Sequence, residues 1–103
     1  MLMVTCNEIP GQNFKVIGLV QGSVVKTKHI GRDIGASFKS LVGGEINAYT
    51  ELMYEARKTA TERMIEHAKS AGADAIVAVR ISTCSVMGGS SEVMMYGTAV
   101  KYV

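Results

Sequence analysis

The sequence predicts a two-layer α+β fold in which one main helix packs on a curved antiparallel sheet. Three observations carry that prediction. One stretch of apolar residues from Asn47 onward recurs at three- and four-residue spacing, as a single amphipathic helix requires. Three runs, Phe14 to Thr27, Asp74 to Val86 and Glu92 to Val103, are rich in Val, Ile and aromatic residues and bounded by turn formers, as strands are. The chain has 103 residues, 48% hydrophobic and 19% charged with a single Pro, which suits one domain over residues 1–103 rather than two domains or a disordered chain.

Taken in order, Leu2 to Cys6 is a short apolar stretch closed by Asn7, Pro10, Gly11, Gln12 and Asn13, and reads as a first short strand. Phe14 to Thr27 follows. Because side chains alternate across a strand, Phe14, Val16, Val20 and Val24 are expected on one face and Ile17, Leu19 and Val25 on the other. Gly18 and Gly22 lie with the first set, and glycine inside a strand marks a bulge, a bend or a close backbone approach, so this strand is expected to curve. Between Thr27 and Asn47, Ile30, Ile34, Phe38 and Leu41 recur at helical spacing and predict a short helix over residues 33–41.

The main helix places Tyr49, Leu52, Met53, Ala56, Ala60, Met64, His67, Ala68 and Ala71 on its apolar stripe. Asn47 suits its N-cap and Gly72 its left-handed C-cap. The last two strands are joined through Met87, Gly88, Gly89, Ser90 and Ser91, a hairpin loop. Both faces of these strands are apolar in places: Ala75, Val77, Val79 and Ile81 oppose Ile76 and Ala78, while Met94, Tyr96, Val100 and Tyr102 oppose Val93, Met95 and Val103. One helix covers only one face of a sheet. An antiparallel sheet in a monomer commonly leaves a polar second face to water, so apolar residues on both faces predict a homo-oligomer.

Composition limits the function classes. Eleven Lys and Arg against nine Asp and Glu leave a net charge of +2, too little for a strong phosphate-neutralising surface. The basic residues Lys26, Lys28, His29, Arg32 and Lys39 lack the interleaved aromatics that stack on bases, so nucleic acid is not the expected partner. The longest apolar run, Ala75 to Val79, is far short of the roughly 20 residues that span a bilayer. Met1 to Cys6 has no basic n-region or cleavable apolar core, and the expected location is the cytoplasm. Cys6 and Cys84 form no CxxC, so both are expected as reduced thiols.

Gly31-Arg32-Asp33, then Gly43-Gly44-Glu45-Ile46 leading to Tyr49-Thr50-Glu51-Leu52, Glu55-Ala56-Arg57, Arg63-Met64 and Gly72-Ala73-Asp74-Ala75-Ile76-Val77, resemble the YbjQ-like family over nearly the whole chain. The resemblance implies a dodecin-like subunit that assembles into a ring-like homo-oligomer, typically a pentamer. The family is small, cytoplasmic and uncharacterised, and its heavy-metal-binding label is a proposal rather than an established activity.

Two kinds of site follow from the residues. Arg32, Asp33 and Glu45 stand beside glycines, where backbone can approach a ligand, and with Tyr49 they could line a small-ligand cleft between subunits. The plainer alternative is capping and turn formation by the same residues. Soft or transition metals seek thiolate and imidazole, and Cys84, Cys6 and His29 offer these, though at no spacing that sets two ligands on one element; a ring would have to gather them around its axis. The plainer alternative is that the cysteines act as small apolar residues. Catalysis would need Cys84 beside a histidine, or Asp33 paired with Glu45, and no activating context for either is visible. The expected role is therefore a ring-forming small-ligand-binding or scaffold module, with metal binding as the alternative.

Overall fold

A computed structural model describes residues 1–27 and 42–103, with helix side chains from residue 49 onward. The elements are β1 (Leu2–Met3), β2 (Phe14–Thr27), α1 (Val42–Ser70), β3 (Ala75–Ser85) and β4 (Ser90–Tyr102). They form one four-stranded sheet in the order β1-β3-β4-β2, with α1 over β2 and β4. The two-layer α+β architecture is as expected. The three long strands pair antiparallel, but β1 joins β3 in parallel, Leu2 opposite Ala75 and Met3 opposite Ile76, so the sheet is mixed. A parallel pair needs a long crossover, and β2 with α1 lies between β1 and β3 to supply it.

The helix begins earlier than its sequence signals indicate. Asn47 lies within α1 and is not its N-cap, because Gly43 and Gly44, which read as a turn, each lower helix stability by only about 1 kcal/mol and do not forbid helical backbone. The C-terminus is as expected. Gly72 takes φ 79°, its N–H donates to the Lys69 carbonyl at 3.0 Å, and the Ala73 N–H donates to the Ala68 carbonyl at 3.0 Å, the paired bonds of a Schellman cap. The short helix expected over residues 33–41 lies outside the described residues.

Ala56, Ala60, Met64 and Ala68, four residues apart, form the fully buried ridge of α1. They pack on Val20 and Val24 of β2, Val93 and Ala99 of β4, and Ile76 and Val79 of β3. Small residues let helix and sheet approach closely. A Cβ built on Gly22 would fall on the Met64 amide nitrogen and the Ala60 carbonyl oxygen, and 2.7 Å from the Arg63 carbonyl carbon.

Two bulges shift the alternation expected of the strands. The register slips between Val16 and Gly18 in β2 and between Val77 and Arg80 in β3. One extra residue exchanges the faces beyond it. Phe14 therefore packs on the outer face rather than with Val20 and Val24, and Ala75 and Val77 lie opposite Val79 instead of sharing its face. The hairpin between β3 and β4 turns on Gly88 (φ 61°) and Gly89 (φ 80°), the paired left-handed conformations that only a residue without Cβ adopts freely.

Part of the outer face is covered by the chain itself. Residues 4–13 fold back so that Val4 and Ile9 pack on Ala75, Val77 and Val100. Arg80 Nη1 donates to the Thr5 carbonyl at 2.8 Å and fastens this segment. The rest stays open, with Leu19 66% and Val25 55% exposed. The molecule measures 57 × 23 × 18 Å, and its radius of gyration is 17.1 Å. A compact domain of this length has a radius of gyration of about 13 Å.

Candidate functional site

The outer face carries the exposed chemistry. Cys84 is opposite Glu92 in the β3–β4 register, and its exposed Sγ lies 3.8 Å from Glu92 Oε1. A thiol beside a carboxylate is a two-donor pair, and the strand register alone brings it together. Cys6 is also exposed, but its Sγ donates to the Glu8 carbonyl at 3.1 Å, and its own carbonyl accepts from the Ala78 amide at 2.9 Å. Cys84 stands six residues farther along β3 than Ala78, roughly 20 Å at strand rise, so the two cysteines do not share a site within one chain. No cluster of three or more His, Cys, Asp and Glu forms among the described residues. The described residues of one chain therefore fall short of the four ligands of a closed structural zinc site.

His29, Arg32 and Asp33 lie outside the described residues. Glu45 is in the first turns of α1, one turn before Tyr49, with its side chain outside the described set. Tyr49 is half-buried and borders a cavity of about 150 Å³ with Lys26, Leu52, Met53, Gly89 and Ser91, where the start of α1 passes the hairpin tip. Ligand pockets commonly run from about 300 Å³ upward. The cavity suits a small polar group rather than a whole cofactor. A larger hollow of about 380 Å³ is lined by the consecutive residues Glu8 to Phe14 and follows from the turn at Pro10-Gly11. Gly11 has φ 77° after Pro10, and the Gln12 amide donates to the Ile9 carbonyl at 3.0 Å, as a proline–glycine turn does.

Sequence reasoning placed His67 on the apolar stripe, whereas it is exposed and attached to the sheet edge. The Gln21 N–H donates to its Nδ1 at 3.2 Å, and one turn away Arg63 Nη1 donates to the Ser23 carbonyl at 2.6 Å. These contacts were not legible beforehand, because they depend on which edge of β2 faces the helix.

A family model described as "Putative heavy-metal-binding" matches residues 1–103. The chain is 54% identical to a UPF0145 protein of Thermosipho melanesiensis, covering 98% of this chain and 94% of that one. A UPF0145 protein of Vibrio parahaemolyticus is 54% identical over 100% of this chain and 99% of its own length, and one of Clostridioides difficile is 52% identical over 97% and 90%. The fold is similar, at a TM-score of 0.65 and 18% identity over 100% and 98% of the two chains, to the crystal structure of a protein of unknown function in the DUF74 family from Pediococcus pentosaceus. No described helix is long and apolar enough to cross a membrane. With a family model matching its whole length and curated relatives at about half identity, the chain belongs to the YbjQ-like, UPF0145 family.

Proposed function

We propose that the protein works as a homo-oligomeric binding or scaffold module whose site is completed between copies. The observation that carries this reading is the open outer face. Leu19 and Val25 are more than half exposed there, on a chain whose 17.1 Å radius of gyration far exceeds the size of a compact monomer. The ring-like pentamer implied by the family resemblance is the arrangement proposed, and the cytoplasm its location. Copies packed together would also enlarge the shallow Tyr49 cavity, where Lys26 adds a cation suited to an anionic group. Native mass spectrometry of protein purified without added metal tests the reading. A multiple of 11.0 kDa, five for the proposed ring, is expected, together with any small molecule retained. A folded 11.0 kDa species alone overturns it.

Heavy-metal binding is the second reading, supported by the exposed Cys84–Glu92 pair. Each chain would donate a thiolate and a carboxylate, and symmetry would supply the remaining ligands. Equilibrium dialysis of the reduced protein with zinc, copper and cadmium checks it. Cys84→Ser should abolish uptake while Cys6→Ser leaves it unchanged. Equal uptake by wild type and Cys84→Ser removes the thiol from the account.

A further inference from the structure

β2 is an edge strand along its whole length, and antiparallel pairing leaves alternate residues with their N–H and C=O directed away from β4. Gln21 and Ser23 are two of these, and side chains of α1 close the edge at both. The Gln21 N–H donates to His67 Nδ1 at 3.2 Å, and Arg63 Nη1 donates to the Ser23 carbonyl at 2.6 Å. Between them in the strand stands Gly22, where an added Cβ would collide with main-chain atoms of Ala60, Arg63 and Met64. The two side chains therefore grip β2 at a place where helix and sheet already touch backbone to backbone.

The two grips differ in what a proton does to them. His67 Nδ1 lies 3.2 Å from the Gln21 nitrogen and 3.3 Å from the Gln21 carbonyl oxygen, almost equally placed between a donor and an acceptor of one residue. A bare imidazole nitrogen accepts a hydrogen bond and a protonated one donates. Imidazoles pass between these states between about pH 5 and 8. The Arg63 guanidinium stays protonated and only donates. His67 is exposed, so solvent protons reach it directly. Of the charged side chains on α1, Arg63 faces it from one turn away, whereas Glu66 and Lys69, one and two positions off, project to other sides of the helix. On β2 the ionisable residues nearest Gln21 in the chain are Lys15 and Lys26, roughly 20 and 17 Å away at strand rise. On β4, Tyr96 is opposite Gln21 and shares the outer face with Val100, away from the helix. β3 with Arg80 lies beyond β4.

We propose that His67 is a proton-operated latch on β2, holding the Gln21 amide when neutral and the Gln21 carbonyl when charged. In the neutral ring the proton sits on Nε2, and the bare Nδ1 accepts from the Gln21 N–H. On protonation Nδ1 takes one proton from solvent, donates to the Gln21 carbonyl and releases the amide to water. One hydrogen bond replaces another with no change of rotamer, because both partners already lie within reach. Helix and strand stay fastened in both states, since the Arg63 bond to Ser23 does not titrate in this range. What changes with pH is which main-chain group of β2 is offered to water.

Nitrogen NMR of the imidazole, combined with amide hydrogen exchange of the full chain from about pH 5 to 8, tests the latch. The neutral ring is expected to carry its proton on Nε2. The protection factor of the Gln21 amide, which removes the intrinsic pH dependence of exchange, is expected to fall about fivefold on acidification, the worth of one net hydrogen bond. Its midpoint should coincide with the titration of the ring. His67→Asn sets a non-titrating amide at similar reach and should abolish the step, and His67→Ala should leave Gln21 in fast exchange at every pH. A neutral ring protonated on Nδ1, a wild-type protection factor that ignores pH, or a step that survives in His67→Asn each overturns the proposal. Should the variants fail to fold, the tautomer and the protection step of the wild type decide by themselves.

Discussion

Gly22 shows how a single side chain, or the lack of one, sets the spacing of the two layers. Its place in β2 is under the buried ridge of α1, and a methyl group there would meet main-chain atoms of Ala60, Arg63 and Met64 rather than flexible side-chain ends. Backbone cannot yield without moving the helix, so Gly22→Ala should destabilise the protein by about 3 kcal/mol or more, at the upper end of overpacking costs. Chemical denaturation checks this, and a loss below roughly 1 kcal/mol would mean that helix and sheet can separate freely. The sequence marked Gly22 as a point of close approach, bend or bulge, and the choice among these came from the register. Cys84 was legible as a candidate ligand only in type, and its exposure came from the structure. Its neighbour Glu92, eight residues on, becomes a partner through cross-strand pairing, which no local spacing encodes.

At the scale of elements, strands were visible from composition and the helix from its period, but the bulges were not. Ala78 explains the one in β3. It holds φ 54°, the left-handed region, and its amide and that of Val79 both face the N-terminal segment. That twist lets residues 4–6 dock and exchanges the faces of β3 beyond it. Ala78→Val should cost about 1–3 kcal/mol, because a β-branched side chain is strained at positive φ. Ala78→Gly should stay within about 1 kcal/mol of wild type, relief of strain being offset by the freer unfolded chain. Denaturation midpoints for the pair check the bulge, and equal midpoints would show that the left-handed conformation is not held. Alanine gives no sequence signal of such a role, unlike Gly72, whose helix-ending position was predictable because Gly is the residue of choice for a left-handed cap.

At the scale of the molecule, the mass expected from native spectrometry follows from shape and exposed surface rather than from any one residue. A 29-residue helix and strands of 14, 11 and 13 residues are long for a chain of this size, and laid side by side they make a slab instead of a sphere. The apolar residues on both strand faces already pointed to association. The structure divides that surplus into a part that Val4 and Ile9 cover within the chain and a part that stays open at Leu19 and Val25. By itself the sequence determined which of the described segments are helix and strand, where the long helix stops and that the sheet is apolar on both sides, because these depend on periodicity and on the conformational limits of neighbouring residues. Only the tertiary structure decided the parallel β1, the two bulges, the Cys84–Glu92 pair and the closing of the β2 edge by His67 and Arg63, because each depends on register between residues distant in the chain, where one position more or less exchanges both the face and the direction of every hydrogen bond.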